Sequence, residues 1–106
     1  MADQVLLTIS TFPDAETANR IAEALVTEKL AACANLIPAV YSIYHWKEKI
    51  ETAREIMVFF KTTQDRLAAF EEKLCSLHPY EVPELIYVKI DGGSSDYLRW
   101  VIDNCR

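Results

Sequence analysis

The chain has 106 residues, a length that supports one domain spanning 1–106 and no more. Hydrophobic residues make up 51% of it, and 16 acidic against 11 basic residues give a formal net charge of −5. That balance argues against a nucleic-acid binder, which needs a basic patch, and opposes attraction to an anionic membrane surface.

Only two glycines occur, the adjacent pair Gly92 and Gly93, so no loop is built to cradle a nucleotide phosphate. The opening residues, MADQVLLTIS, lack the basic n-region and cleavage site of a signal peptide, and no apolar run reaches the length of a membrane span. Cys33, Cys75 and Cys105 are an odd number with no C-x-x-C spacing. Together these features lead us to expect a cytoplasmic protein with reduced thiols, although a Cys33–Cys75 pair stays open at the level of sequence.

In chain order, residues 5–12 alternate as a strand, with Val5, Leu7 and Ile9 on one side and Leu6, Thr8 and Ser10 on the other. Pro13 stops it, and Asp14 caps a helix whose stripe is Ala18, Ile21, Ala22 and Leu25, ending near Leu30. An extended segment from Cys33 to about Trp46 carries Pro38, which places an edge or a bulge there. Lys47, Glu48 and Lys49 read as the tip of a hairpin leading into a strand over 50–61, strongly β-prone at 56–60. Thr62 or Thr63 is positioned to cap a second helix with Leu67, Phe70, Leu74 and Leu77 on one face, which Pro79 terminates. A strand over 82–90 follows, then a turn at 91–93. Ser94 or Ser95 caps a last helix carrying Leu98, Val101, Ile102 and Cys105.

The order β-α-β-β-α-β, followed by a helix, predicts an α+β ferredoxin-like sandwich. Strands one, three and four are apolar on both faces: Leu6 beside Leu7, Met57 and Phe59 beside Val58 and Phe60, Leu85 and Tyr87 beside Ile86 and Val88. A few short helices cover one face of such a sheet. The other is predicted to be buried by further copies of the chain.

No nucleophile–base arrangement stands out, and Ser94 and Ser95 lack the G-x-S-x-G context, so no enzyme is expected. His78 lies at a helix C-terminus, where a protonated imidazole gains from the helix dipole. Glu81 and Glu84 follow, and one histidine with carboxylates suits a borderline divalent cation such as copper or zinc.

Four stretches carry a resemblance: EKLAACANLIPAVYSIYHW at 28–46, FFKTT at 59–63, HPYEVPELI at 78–86 and SSDYLRW at 94–100. They resemble the CutA divalent-cation tolerance family across nearly the whole chain. The resemblance implies a homotrimer, similar in architecture to the PII signalling proteins, that binds divalent metal ions, copper among them, in metal tolerance. Some bacterial members bind copper through a first-strand cysteine and histidines before a Pro-Tyr. Here Ser10 stands at the cysteine position and Leu77 beside His78, which leaves His78 as the metal-ligand candidate. The resemblance also implies a polar cleft between subunits lined by Cys33, Trp46, Lys61, Glu84 and Tyr97, with Tyr44 in company. Packing alone accounts for the same residues equally well. The alternative function is a PII-like sensor taking a small anion or metabolite in that cleft.

Overall fold

The computed structural model describes residues 4–106. Strand β1, Val5–Phe12, leads into helix α1, Ala15–Thr27. The Asp14 carboxylate accepts the Thr17 amide at 2.8 Å, and Ala18, Ile21, Ala22 and Leu25 are the buried stripe. The helix stops short of Leu30 because Lys29 enters the left-handed region at φ 59°. The Arg66 guanidinium donates to the carbonyls of Lys29 and Glu28 at 3.1 and 3.3 Å, satisfying that end.

Strands β2, Cys33–Trp46, and β3, Lys49–Thr63, form a long hairpin. Its turn is the two residues Lys47 and Glu48, with φ 51° and 67°; Lys49 already pairs with Trp46. The Pro38 signal is a bulge between Ile37 and Val40, with Ala39 at φ 65°, on an outer strand of the sheet. A single 3-10 turn, Gln64–Arg66, precedes α2, Leu67–Leu77. Neither threonine caps this segment as expected. Thr63 makes no side-chain cap, and the Thr62 hydroxyl donates to the Leu30 carbonyl at 2.6 Å. Strand β4 is only Ile86–Lys89, because the segment carrying Pro83 runs outside the sheet. Helix α3, Ser95–Asp103, is capped by Ser94, whose hydroxyl accepts the Tyr97 amide at 3.4 Å.

The sheet order is β2-β3-β1-β4 with every neighbouring pair antiparallel, the ferredoxin-like arrangement. Helices α1 and α2 pack on the face bearing Phe12, Val58 and Phe60, where Ile21, Leu25, Phe70 and Leu74 complete the core. Phe60 and Phe70 meet edge to face at 5.0 Å. Helix α3 closes a second cluster of Val5, Ala32, Val101 and Cys105.

The pairing register fixes the other face. Leu7 and Ile9 of β1 lie beside Val88 and Ile86 of β4, and Phe59 and Met57 of β3 continue the row towards Ile37 of β2. Ile86 and Val88 are more than half exposed. Beyond Phe12 and Ile56 no third strand among the described residues supports the hairpin, which continues as a two-stranded ribbon exposing Tyr41, Ile43, Tyr44, Trp46 and Ile50. The molecule is therefore elongated, 44 Å against 25 and 22 Å.

Candidate functional site

At the base of the ribbon lies a cavity of about 830 Å³, walled by β3, the ribbon and the segment at 79–84. Three glutamates line it, Glu55, Glu81 and Glu84, with His45 on the ribbon side. Glu55 has the same strand parity as Met57 and Phe59, so β-alternation places it on the open face of the sheet. It is 6% exposed, and the Tyr80 hydroxyl donates to its Oε2 at 2.6 Å. Glu84 lies at the mouth and accepts a long bond, 3.5 Å, from the Thr11 hydroxyl. Burial, and then the negative charge of Glu55, hold the Glu84 carboxyl above the usual carboxylate range. The Tyr80 hydroxyl is pushed well above its ordinary value by burial and by its bond to Glu55. Tyr44 and Trp46 supply the aromatic wall from the ribbon.

His78 sits behind this cavity. Its ring stacks on Phe12 with centroids 4.7 Å apart. Nδ1 accepts the Tyr80 amide at 3.1 Å, so Nε2 carries the proton and donates to the Thr11 carbonyl at 2.7 Å. Burial lowers its pKa below 6.5, outweighing the opposite pull of the Thr11 carbonyl and Glu55. The imidazole is thus held neutral against β1 and does not serve as a charged partner for the helix dipole. Neither ring nitrogen is free to coordinate a metal in this conformation. Ser10 is fully buried on the helix-covered face, away from the cavity, and its hydroxyl has no partner among the described residues.

The five expected cleft residues divide within one chain. Trp46 and Glu84 line the cavity. Cys33, Lys61 and Tyr97 gather elsewhere: Cys33 pairs with Lys61 in register, and its Sγ lies 3.5 Å from the Tyr97 hydroxyl. That contact first, and burial second, push the Tyr97 hydroxyl up to about 12. Lys61 does not reach Glu84. Its ammonium donates to the Asn35 side-chain carbonyl, whereas Glu84 leans on Thr11, the partner of Met57 further back along β3.

Glu55, Thr11 and Tyr80 are site residues that sequence pattern did not single out. Glu55 left one sign: a charged residue on the apolar parity of a buried strand. Among the described residues no group of three or more His, Cys, Asp or Glu side chains is arranged to hold a metal. Glu55 and Glu84 offer two carboxylates beside the Thr11 and Tyr80 hydroxyls; Glu81 and His45 also line the cavity but complete no ligand cluster with them, and there is no thiolate. This set does not fit a resident copper centre but suits loosely held, oxygen-ligated ions.

The family model described as CutA1 divalent ion tolerance protein matches residues 6–104. The chain belongs to this family. The divalent-cation tolerance protein CutA of Thermus thermophilus is 39% identical over 104 residues, covering 98% of each chain. The crystal structure of CutA from Xylella fastidiosa superimposes with a TM-score of 0.94 at 41% identity, covering 96% of this chain and 98% of that one. The structure described as the periplasmic divalent cation tolerance protein CutA of Archaeoglobus fulgidus superimposes with a TM-score of 0.93 at 31% identity, covering 96% and 99%. Metal-ion tolerance is the general role of this CutA1 chain. Among its described residues no helix is long and apolar enough to cross a membrane.

Proposed function

We propose that the chain binds divalent cations as cargo, on the carboxylate pair Glu55 and Glu84, within a homo-oligomer. The observation that carries this proposal is an uncompensated charge. Glu55 is buried and Glu84 shares its cavity, yet neither makes an ion pair with a cationic side chain among the described residues. Glu55 is out of water, and Glu84, exposed at the same cavity, feels its charge; the two repel each other, and a cation between them relieves the cost. Copper(II) heads the divalent series for oxygen and nitrogen donors and is the ion we expect to bind most tightly. The role is one of binding rather than catalysis. Free thiols at Cys33, Cys75 and Cys105 support action in a reducing compartment such as the cytoplasm.

The homo-oligomer, a trimer by family resemblance, is supported by the apolar open face. That face carries Lys61 towards one end and the two carboxylates towards the other, so copies packed head to tail would bring Lys61 of one towards Glu84 of the next. The split cleft residues would then meet between chains. A metabolite-sensing role on a PII-like trimer is the second reading. Its specific support is that, among the described residues, the Lys61 ammonium bonds only a neutral amide, beside the Cys33 thiol and the Tyr97 hydroxyl, which leaves a positive site for a small anion.

Calorimetry with copper(II) and zinc on wild type, Glu84→Gln and His78→Phe tests the cation site. Glu84→Gln is expected to weaken binding by about tenfold or more, and His78→Phe to leave it nearly intact. Loss of binding in His78→Phe alone would return the site to the imidazole.

A further inference from the structure

The cavity has a property that metal binding leaves unused: its aromatic wall. Tyr44 and Trp46 reach it from the ribbon, and Tyr80 from the segment after α2. A hydrated metal ion gains little from such a surface. A carboxylate pair beneath aromatic rings suits a cation that also carries hydrocarbon, because the charge meets the carboxylates while the chain and the rings exclude water from each other. Glu55 shows that the charge is in want of a partner: it is 6% exposed, and its bond is to the neutral hydroxyl of Tyr80. The ion pairs among the described residues, Lys73–Glu28 and Arg106–Asp103, lie outside the cavity. The Trp46 ring already attracts an ammonium, with Lys47 Nζ 5.6 Å from its centroid. A cavity of about 830 Å³ is in the size range of small-molecule sites.

We infer that this cavity is a site for an organic cation, an alkylammonium or alkylguanidinium group seated on Glu55 and Glu84 with its alkyl chain along Tyr44, Trp46 and Tyr80. The inference rests on the cavity's being a cation site, as proposed above, and adds the class of cation. The same group comes from either of two sources, a free small amine or the Lys61 side chain of a second copy.

Trp46 is the built-in reporter, since Trp100 is the only other tryptophan. In a Trp100→Phe background, Trp46 emission is followed while n-butylammonium, n-butylguanidinium or neutral n-butanol is added at constant ionic strength. The two cations are expected to give a saturable change and butanol none, and Glu84→Gln is expected to weaken the response at least about tenfold. The titration is repeated with Lys61→Met. Saturation in both proteins identifies a free amine as the occupant. Saturation only in Lys61→Met shows that a second copy's lysine fills the cavity in the wild type. No saturation in either, an equal response to butanol, or a response undiminished by Glu84→Gln overturns the inference. Calorimetry with copper(II) is independent of this readout. Metal binding without amine binding rejects the organic cation alone, and amine binding without metal binding rejects the divalent-ion proposal alone.

Discussion

Both nitrogens of His78 are committed to the backbone, one accepting from Tyr80 and one donating to Thr11, and the ring between them is stacked on Phe12. Protonation would remove the acceptor at Nδ1 and set a second N–H against the Tyr80 amide. Burial keeps the folded pKa below the ordinary 6.5, so the folded chain binds fewer protons here than the unfolded chain in that range. The contribution is fully present above about pH 6.5 and is lost as pH falls through the folded value. Glu84 works in the opposite sense lower on the scale, because its raised carboxyl favours the proton in the fold. Thermal unfolding of the wild type between pH 7.5 and 5.5 is therefore expected to show a falling Tm. His78→Phe keeps the stacked ring but cannot titrate. It should start lower at pH 7.5 and stay flat, and an equally steep fall in the variant would assign the titration to another group. A second residue-scale expectation concerns β1. Thr8 and Ser10 are fully buried, and their hydroxyls have no partner among the described residues. Ser10→Ala removes a polar group that makes no bond, so urea unfolding is expected to show no loss, or a gain of up to about 1 kcal/mol. A clear loss would mean the hydroxyl has a partner. Sequence alternation correctly put Ser10 opposite Val5, Leu7 and Ile9. It could not say which face the helices take, and that choice buries Ser10 away from the cavity.

At the scale of elements, the hairpin shows what sequence signals carry. The polar cluster Lys47, Glu48, Lys49 marks where the chain reverses, but it contains neither glycine nor asparagine. Nothing in it announces that two consecutive residues take positive φ. That geometry belongs to the tight hairpin turn favouring Asn-Gly, and each ordinary side chain held there costs roughly 1 kcal/mol or more. Lys47→Asn combined with Glu48→Gly is expected to raise stability by about 1 kcal/mol in thermal unfolding. An unchanged or lower Tm would show that contacts of Lys47, including its approach to Trp46, outweigh the strain. Elsewhere, local signals were legible where the partner is close in sequence. Asp14 and Ser94 cap the helices they precede, and Pro38 marks a bulge. They failed where a distant group intervened. Thr62 gives its hydroxyl to Leu30, and Tyr80 reaches across the fold to Glu55, a contact that no periodicity encodes. Residues 82–85 looked like strand by composition, yet Pro83 offers no amide to the ladder, and pairing begins only at Ile86.

The whole molecule leaves a large apolar surface in water. Its accessible area is 6670 Å², against about 6000 Å² for a compact monomer of this mass. The excess agrees with the unsupported ribbon and the uncovered sheet face. Isolated exposed side chains need no partner, but Ile37, Ile86 and Val88 join Leu7, Ile9, Met57 and Phe59 in one contiguous patch. Sedimentation equilibrium at micromolar concentration is expected to show an oligomer. Val88→Glu places a charge on that patch at a residue 52% exposed in the single chain, so each chain should fold while assembly fails. Trp46→Ala removes an aromatic anchor from the ribbon and is expected to weaken association by about 2 kcal/mol or more. The two substitutions lie on different elements, and the comparison between them is informative. If both dissociate the protein, the ribbon and the sheet face belong to one continuous interface, and the cavity between them is walled in part by the next copy. If only Val88→Glu acts, the ribbon is free in solution and the aromatic wall of the cavity stays open to small molecules. A monomeric wild type would place the whole patch in water and reject assembly through the open face.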